Sequence, residues 1–377
     1  MPNGYWQVIL CIQLYSLFTN MRRYLYLLIL SVLAFITLLT IFHFGEIPNK
    51  HKNGFKRNYF SSAWLKERQL DLQDTLAGII GSTRSTIYAG TSTRGEILEI
   101  GKDSPNTTKR IKLPYFEQYY DSLGFNSLSV IIDSPAIYLF GENKPAILKT
   151  TLDGARCEIR ILPPGPFTRE AIAGNDCIIL RKFDLSVTDQ SFVRYNFSTG
   201  LLKKEENISE IFGDGGIVSD GQLYFDDATK KLLYIYFYKN LLLSFDTVLN
   251  TVKKFSSIDT VSSFKMQTGV VKNGGIKAYT NITPADLVNK VNNVHDGLLF
   301  NMSALKADNE TDGFFYNNSI LDVIDLKDGR YLGSIYFPTV NGNKLSRFIV
   351  SDKRLIALYK NSIVTYKINL NLDRKPQ

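Results

Sequence analysis

Turn residues recur along this 377-residue chain at an interval that few folds share. One series of hairpin turns holds Asp153-Gly154, Thr199-Gly200, Leu249-Asn250 and Asp328-Gly329, in steps of 46, 50 and 79 residues. A second series, one strand earlier, passes through Thr93–Gly95, Asn143-Lys144, Leu185–Thr188, Asn240, Asn309–Gly313 and Asn361. The one long step common to both falls across Lys272–Gly297, and without that insertion the spacing is uniform. Between the turns lie short apolar or alternating runs, among them Thr86–Ala89, Ala136–Phe140, Leu232–Tyr238 and Arg354–Tyr359. Such runs read as strands. A unit of about 40–50 residues with about four strands describes a β-propeller.

The expected fold class is therefore all-β: a six-bladed β-propeller preceded by one N-terminal transmembrane helix. Full units are expected at 72–113, 124–163, 168–210, 215–260 and 262–338, followed by three strands at 345–369. The last unit lacks an outer strand, and Leu65–Leu72 has the character to supply it. That pairing would close the ring and leave no exposed edge. The insertion 272–297 is expected to hold a helix, Pro284–Val294, with Thr283 as its cap, Pro284 in its first position and Asp286 favouring its dipole.

From Tyr24 to Gly45 no residue carries a formal charge. Those 22 residues make about 33 Å of helix, enough for a bilayer core. Arg22 and Arg23 precede the run, and no small-x-small cleavage site follows it. The expected organisation is an over-annotated extension at 1–20, a signal anchor at 21–45, a linker at 46–64, the propeller at 65–370 and a tail at 371–377. The lipid bilayer is the expected partner of residues 24–45. The propeller is placed outside the cytoplasm, in the periplasm or its equivalent, although Lys50, Lys52, Lys56 and Arg57 follow the span. The net charge of +8 comes from basic residues interspersed with acidic ones, without a basic run, so nucleic acid is not an expected partner.

Units of the type Ser85-Thr-Ile-Tyr-Ala-Gly90, Gly95-Glu-Ile-Leu-Glu-Ile100, Arg110-Ile-Lys-Leu113 resemble the bacterial six-bladed propellers of the TolB-like and NHL-like group. The resemblance spans roughly residues 65–370, and it implies a propeller fold whose membrane-anchored members mostly have no known function. The Trp-Asp ends of WD40 blades, the double glycines of kelch blades and the tryptophan series of quinoprotein propellers are absent.

Catalytic chemistry is thinly represented. Only three histidines occur, and of these only His295, beside Asp296, lies within the propeller region. Zinc sites built from several His or Cys ligands are excluded, and no G-x-S-x-G elbow is present. Asp308, Glu310 and Asp312, followed by Gly313, begin like a calcium loop, but Ser319 stands where such a loop needs a bidentate glutamate. They are weak metal candidates, and no cofactor other than calcium is entertained. Cys157 and Cys177 fall on strands poorly placed for a disulfide.

Two apolar features are candidate ligand or partner surfaces: the face Leu287, Val288, Val291 and Val294, and the stripe Tyr234, Tyr236 and Tyr238. The leading expectation is a non-catalytic binding or scaffolding module for an envelope protein or a small ligand. The rival is a calcium-dependent lactonase- or hydrolase-like propeller, which needs carboxylates such as Asp133, Asp226 and Glu310 to converge at the axis.

Overall fold

The computed structural model describes residues 24–40, 52–72, 76–102, 108–119, 121, 128–174, 176–250, 252–273, 276–284 and 286–370. The chain divides into two units, Met1–Lys52 and Asn53–Gln377. In the first, residues 24–40 form a helix, α1, whose apolar side chains are exposed. Its 17 residues span about 25 Å. Among the described residues no helix is long and apolar enough to cross a membrane. The rest of the apolar run, 41–45, lies outside the described residues, as do residues 1–23 and the tail 371–377.

The described residues of the second unit are mainly β-strand. After β1 (Trp64–Asp71) come antiparallel meanders of four strands. The first is β2 (Leu76–Ser82), β3 (Thr86–Thr91), β4 (Glu96–Gly101) and β5 (Thr108–Lys112); the second is β6 (Leu128–Asp133), β7 (Ala136–Gly141), β8 (Ala146–Thr151) and β9 (Cys157–Ile161). The third is β10 (Phe167–Ile172), β11 (Cys177–Asp184), β12 (Asp189–Asn196) and β13 (Leu202–Lys204); the fourth is β14 (Gly221–Asp226), β15 (Lys231–Tyr236), β16 (Leu241–Phe245) and β17 (Val252–Ser256). A two-stranded hairpin, β18 (Thr268–Asn273) and β19 (Ile276–Asn281), intervenes before the fifth meander, β20 (Asn289–His295), β21 (Leu298–Ser303), β22 (Asn318–Asp325) and β23 (Tyr331–Pro338). Helix α2 (Asp312–Asn317) precedes β22. Last come β24 (Arg347–Ser351), β25 (Arg354–Tyr359) and β26 (Ser362–Ile368), whose outer edge is completed by β1, antiparallel from Trp64 opposite Ile368 to Asp71 opposite Ser362. The segment expected to supply the missing outer strand thus does so.

Strand alternation explains how the sheets associate. Successive side chains point to opposite faces, and here both faces are apolar. Tyr88 and Ile97 pack on Ile137, Leu139 and Leu148 of the second meander. Ile87, Ala89 and Leu98, one residue out of phase, pack instead on Ile356 and Leu358 of the last. The same alternation joins Phe140 to Ile178 and Leu180, Phe192 to Leu232 and Tyr234, Leu233 and Ile235 to Leu299 and Ile324, and Leu321 and Val323 to Leu355 and Ala357. Each side chain so enclosed contributes roughly 1.5–3 kcal/mol of burial free energy.

The first strands also meet in sequence. Gly81 of β2 lies so close to β6 that a β-carbon there would sit 2.5 Å from the Ile132 carbonyl oxygen, so only glycine fits. Ser129 of β6 bonds Glu170 of β10, and Arg169 reaches Gly221 and Asp220 at the start of β14. Gln222 of β14 accepts from the Asn292 backbone of β20 at 3.1 Å, and Asn293 accepts from the Val350 backbone of β24 at 2.9 Å. Ile349 of β24 packs in the cluster that includes Ile79 of β2.

The expected helix Pro284–Val294 is corrected by the structure: Asn289–His295 is strand β20. A bulge between Asn289 and Val291 shifts its alternation by one residue, so Val288 and Val291, three apart, are both buried. That spacing imitates a helical stripe. Asp296 and Gly297, with φ of 50° and 73°, form the tight turn into β21. The insertion is accordingly the hairpin β18–β19 rather than a helix within 272–297.

Removal of Trp64–Asp71 is expected to abolish cooperative thermal unfolding and promote aggregation through the bared edge of β26. An unchanged melting curve would show that β1 does not complete the last sheet. Ile137→Ala, at a fully buried position, is expected to cost about 2–5 kcal/mol in denaturant unfolding.

Candidate functional site

The chain leading into β1 is fastened by an arginine with almost no solvent exposure. Arg57 donates to both carboxylate oxygens of Asp322 on β22, at 2.8 and 3.1 Å, and to both oxygens of Glu310 at 2.9 and 3.0 Å. It also donates to the Leu305 carbonyl at 3.1 Å. Ser334 donates to Asp322 at 2.6 Å, and the Tyr59 hydroxyl donates to Glu310. Burial and the neighbouring Glu310 push the Tyr59 phenol upward. Burial alone would lower the Arg57 value, but the two carboxylates outweigh it and hold the guanidinium charged.

The run proposed from sequence as a weak calcium loop is the receptor for this strap. Asp308 accepts the backbone amides of Asn53 and Gly54, at 2.8 and 3.2 Å. Asn309 exchanges two bonds with the Arg57 backbone, and Glu310 takes its guanidinium. Asp312 turns away to Lys306, and Thr311 caps α2. Among the described residues no group of three or more His, Cys, Asp or Glu side chains is placed to hold a metal ion.

Of the carboxylates named for the rival enzyme reading, Glu310 is taken up by Arg57. Asp226 caps its own turn by accepting from Thr229, while Glu310 is held in the Arg57 cluster near the opposite strand ends. The Asp133 carboxyl is raised by burial and by Asp227, the residue after Asp226.

Of the apolar candidates, Val288 and Val291 are buried, and Leu287 and Val294 are half-buried. Tyr234 and Tyr236 are core residues 1% exposed, with Tyr234 edge-on to Phe192 at 5.0 Å and its hydroxyl on the Ser219 carbonyl at 2.8 Å. Tyr238 lies past the end of β15 and is half-buried. The structure therefore does not gather the three tyrosines into one open platform. Cys157 and Cys177 are both free thiols.

Two other surfaces emerge. The turns between second and third strands, with the links from each fourth strand to the next first strand, occupy one rim. There the chain enters the domain: Thr260 donates to the Asn53 carbonyl at 2.7 Å, a few residues before β18. Tyr279 of the hairpin lies over Gly215 in the link between the third and fourth meanders. Val270 and Val271, on opposite faces of the ribbon, are 52% and 51% exposed, and Ile282 is 65% exposed. Sequence reading missed this surface because it assigned the insertion to a helix.

The opposite rim carries a cleft of about 510 Å³ between the fifth and sixth sheets. Phe300 and Val350 form its apolar part, and His295 lies 3.3 Å from Asp296 at its edge.

The fold resembles that of a DUF4221 family member from Bacteroides vulgatus, which shares 16% identity over 83% of this chain and 99% of that one, with a TM-score of 0.52. The protein is a β-propeller. A protein of unknown function from Bacteroides thetaiotaomicron aligns with 12% identity over 83% of this propeller chain and 75% of its own, at a TM-score of 0.48. Virginiamycin B lyase from Staphylococcus aureus, in a catalytically inactive form with quinupristin, aligns with 11% identity over 80% and 99%, at 0.46. No protein-family model and no curated protein matches the sequence.

Two measurements probe these polar groups. Arg57→Leu strands Glu310 and Asp322 as buried, unpaired charges, and is expected to cost about 3–5 kcal/mol. A loss below 1 kcal/mol in denaturant unfolding would show that the strap is not held by charge. Glu170 bonds Ser129 and is enclosed by the inner strands, and burial pushes its carboxyl up to about 7 from an ordinary 4.5. The native state therefore keeps a proton that the unfolded chain releases, so Glu170 lowers stability as pH rises from about 4.5 to 7. In Glu170→Gln the pH dependence of the melting temperature should flatten across that window. An identical slope would place Glu170 in water.

Proposed function

We propose that this protein is a membrane-anchored, non-catalytic binding or scaffolding module, whose six-bladed propeller stands outside the cytoplasm and presents one rim to another envelope protein. One observation carries the reading: the longest interruption of the repeat, hairpin β18–β19, projects bare valines from the rim at which the chain enters the domain. An isolated two-stranded ribbon is marginal in water, and apolar side chains on both its faces favour a covered state. Insertions in repeat arrays commonly lie on the binding face.

Six blades accord with the six meanders and with the succession of apolar interfaces that returns from the last sheet to the first. Anchoring is supported by the uncharged run from Tyr24 to Gly45, of which α1 is the described part. A propeller acts by geometry, its loops displayed on a rigid ring.

A photo-crosslinking amino acid at Val271 of the full-length chain, in native membranes, is expected to give one near-stoichiometric adduct. Ile282→Asp should abolish it, and the same probe at Val248, on the opposite rim, should give none. Equal labelling at both positions would overturn the rim assignment. Alkaline carbonate should leave the chain in the membrane pellet; release would overturn the anchor alone. Digestion of the propeller by protease in intact cells is the expected topology, and protection until lysis would reverse it.

A further inference from the structure

We infer that the interface between the fourth and fifth sheets binds one internal water molecule, held by the side-chain oxygens of Asn292 and Asn301. This goes beyond the partner reading, since it depends neither on the rim assignment nor on the membrane anchor. Part of the contact is apolar, with Leu233, Ile235 and Leu242 of the fourth sheet against Leu299 and Ile324 of the fifth. Further along the strands the same face of the fifth sheet is polar. Asn292 of β20 stands directly opposite Asn301 of β21, Asn301 opposite Asp322 of β22, and Asp322 opposite Ser334 of β23. Residues so paired share a face, and these four are 2%, 0%, 1% and 0% exposed.

The backbone fixes how these amides are turned. Asn289 donates from its side chain to the carbonyls of Tyr236 and Lys239, at 2.8 and 3.0 Å, so its oxygen is left to accept from Asn301 Nδ2 at 2.7 Å. Gln222 accepts the Asn292 backbone amide through Oε1 at 3.1 Å and, through the same atom, Asn292 Nδ2 at 3.2 Å. Reversing either Asn292 or Asn301 would set oxygen against oxygen. The Oδ1 atoms of both are therefore acceptors, and both are buried with no donor among the described residues. Buried acceptors in native folds are paired with protein or with ordered water. Across a directly opposed pair the β-carbons lie about 4.5–5.5 Å apart, a spacing that one molecule with two donor hydrogens can bridge. A metal ion fits less well. Asp322, next in the row, already has both oxygens on Arg57 and one on Ser334. That leaves two amide oxygens, where a cation such as calcium takes about six to eight. Water meets the same acceptors without burying a further charge.

The test is a crystal structure of the full-length chain in detergent, at a resolution that shows ordered water. One peak is expected at about 2.7–3.0 Å from both oxygens. No peak there, or one touching a single oxygen, would overturn the proposal. Crystals grown with thallium(I) as the monovalent cation should show no anomalous signal at the site. A signal would assign it to a cation and so overturn the water. Asn292→Leu, which removes one acceptor at similar volume, should lose the peak, and its persistence in that variant would overturn the bridge. Should Asn292→Leu fail to fold, the wild-type crystals decide the matter by themselves.

Discussion

The dependence of every sheet on both its neighbours governs this structure. A sheet with one polar face can stand at the surface, but here Ile87 and Ala89 point one way and Tyr88 the other, and all three are buried. No meander can therefore be removed without exposing apolar surface on two others. The arrangement is stable only as a closed set, and closure falls on the pairing of β1 with β26. Because those strands come from opposite ends of the domain, the last sheet cannot be completed until the whole chain has been wound. Such pairing carries a large loop-closure cost, which the apolar interfaces on either side must offset.

The strap preceding β1 extends this logic. Arg57 binds carboxylates of the fifth meander, and β1, a few residues later, binds the sixth, so one short segment spans the interface between them. A buried ion pair is weak evidence of net stability, because desolvation opposes the Coulomb gain. Its geometry nevertheless fixes register. A one-residue slip of the strap would leave Glu310 and Asp322 buried without a cation, and would turn every side chain of β1 to the wrong face. The paired carboxylates thus select the register that the apolar contacts alone would specify less sharply.

The repeat was legible because its turns use residues with strong local preferences. Asp153-Gly154 and Asp328-Gly329 place glycines with φ of 69° and 78° where the turns require positive values. The closing strand was legible by subtraction, since one sheet lacked an edge. The insertion was not. In Asn289–His295 a bulge converted a period of two into a spacing of three, while Asn289, which looks like the polar face of a helix, is fully buried and bonded to the Tyr236 carbonyl at 2.8 Å. The turn Asp296-Gly297 was the signal that could have corrected the reading. The acidic run 308–310 was noticed for its chemistry, but its ligand proved to be Arg57, 253 residues distant from Glu310, a pairing that no local pattern announces. The cleft was equally hidden, because its walls are brought together only when the fifth sheet meets the sixth.

These features divide the domain into two rims with different chemistry. On one, the polar groups are consumed by structure: Asp308, Asn309 and Glu310 are spent on the strap, and what remains open is apolar, on hairpin β18–β19. Apolar ribbons suit extended, shape-dependent contact with a macromolecule. On the other rim lies a cleft with Phe300 and Val350 in its floor, lined by lysines and aspartates alike. The sole histidine of the domain, His295, is half-buried at the edge of this cleft, 3.3 Å from an exposed Asp296. Glu310 and Asp226 are each taken up within the fold, Glu310 by Arg57 and Asp226 by its turn to Thr229.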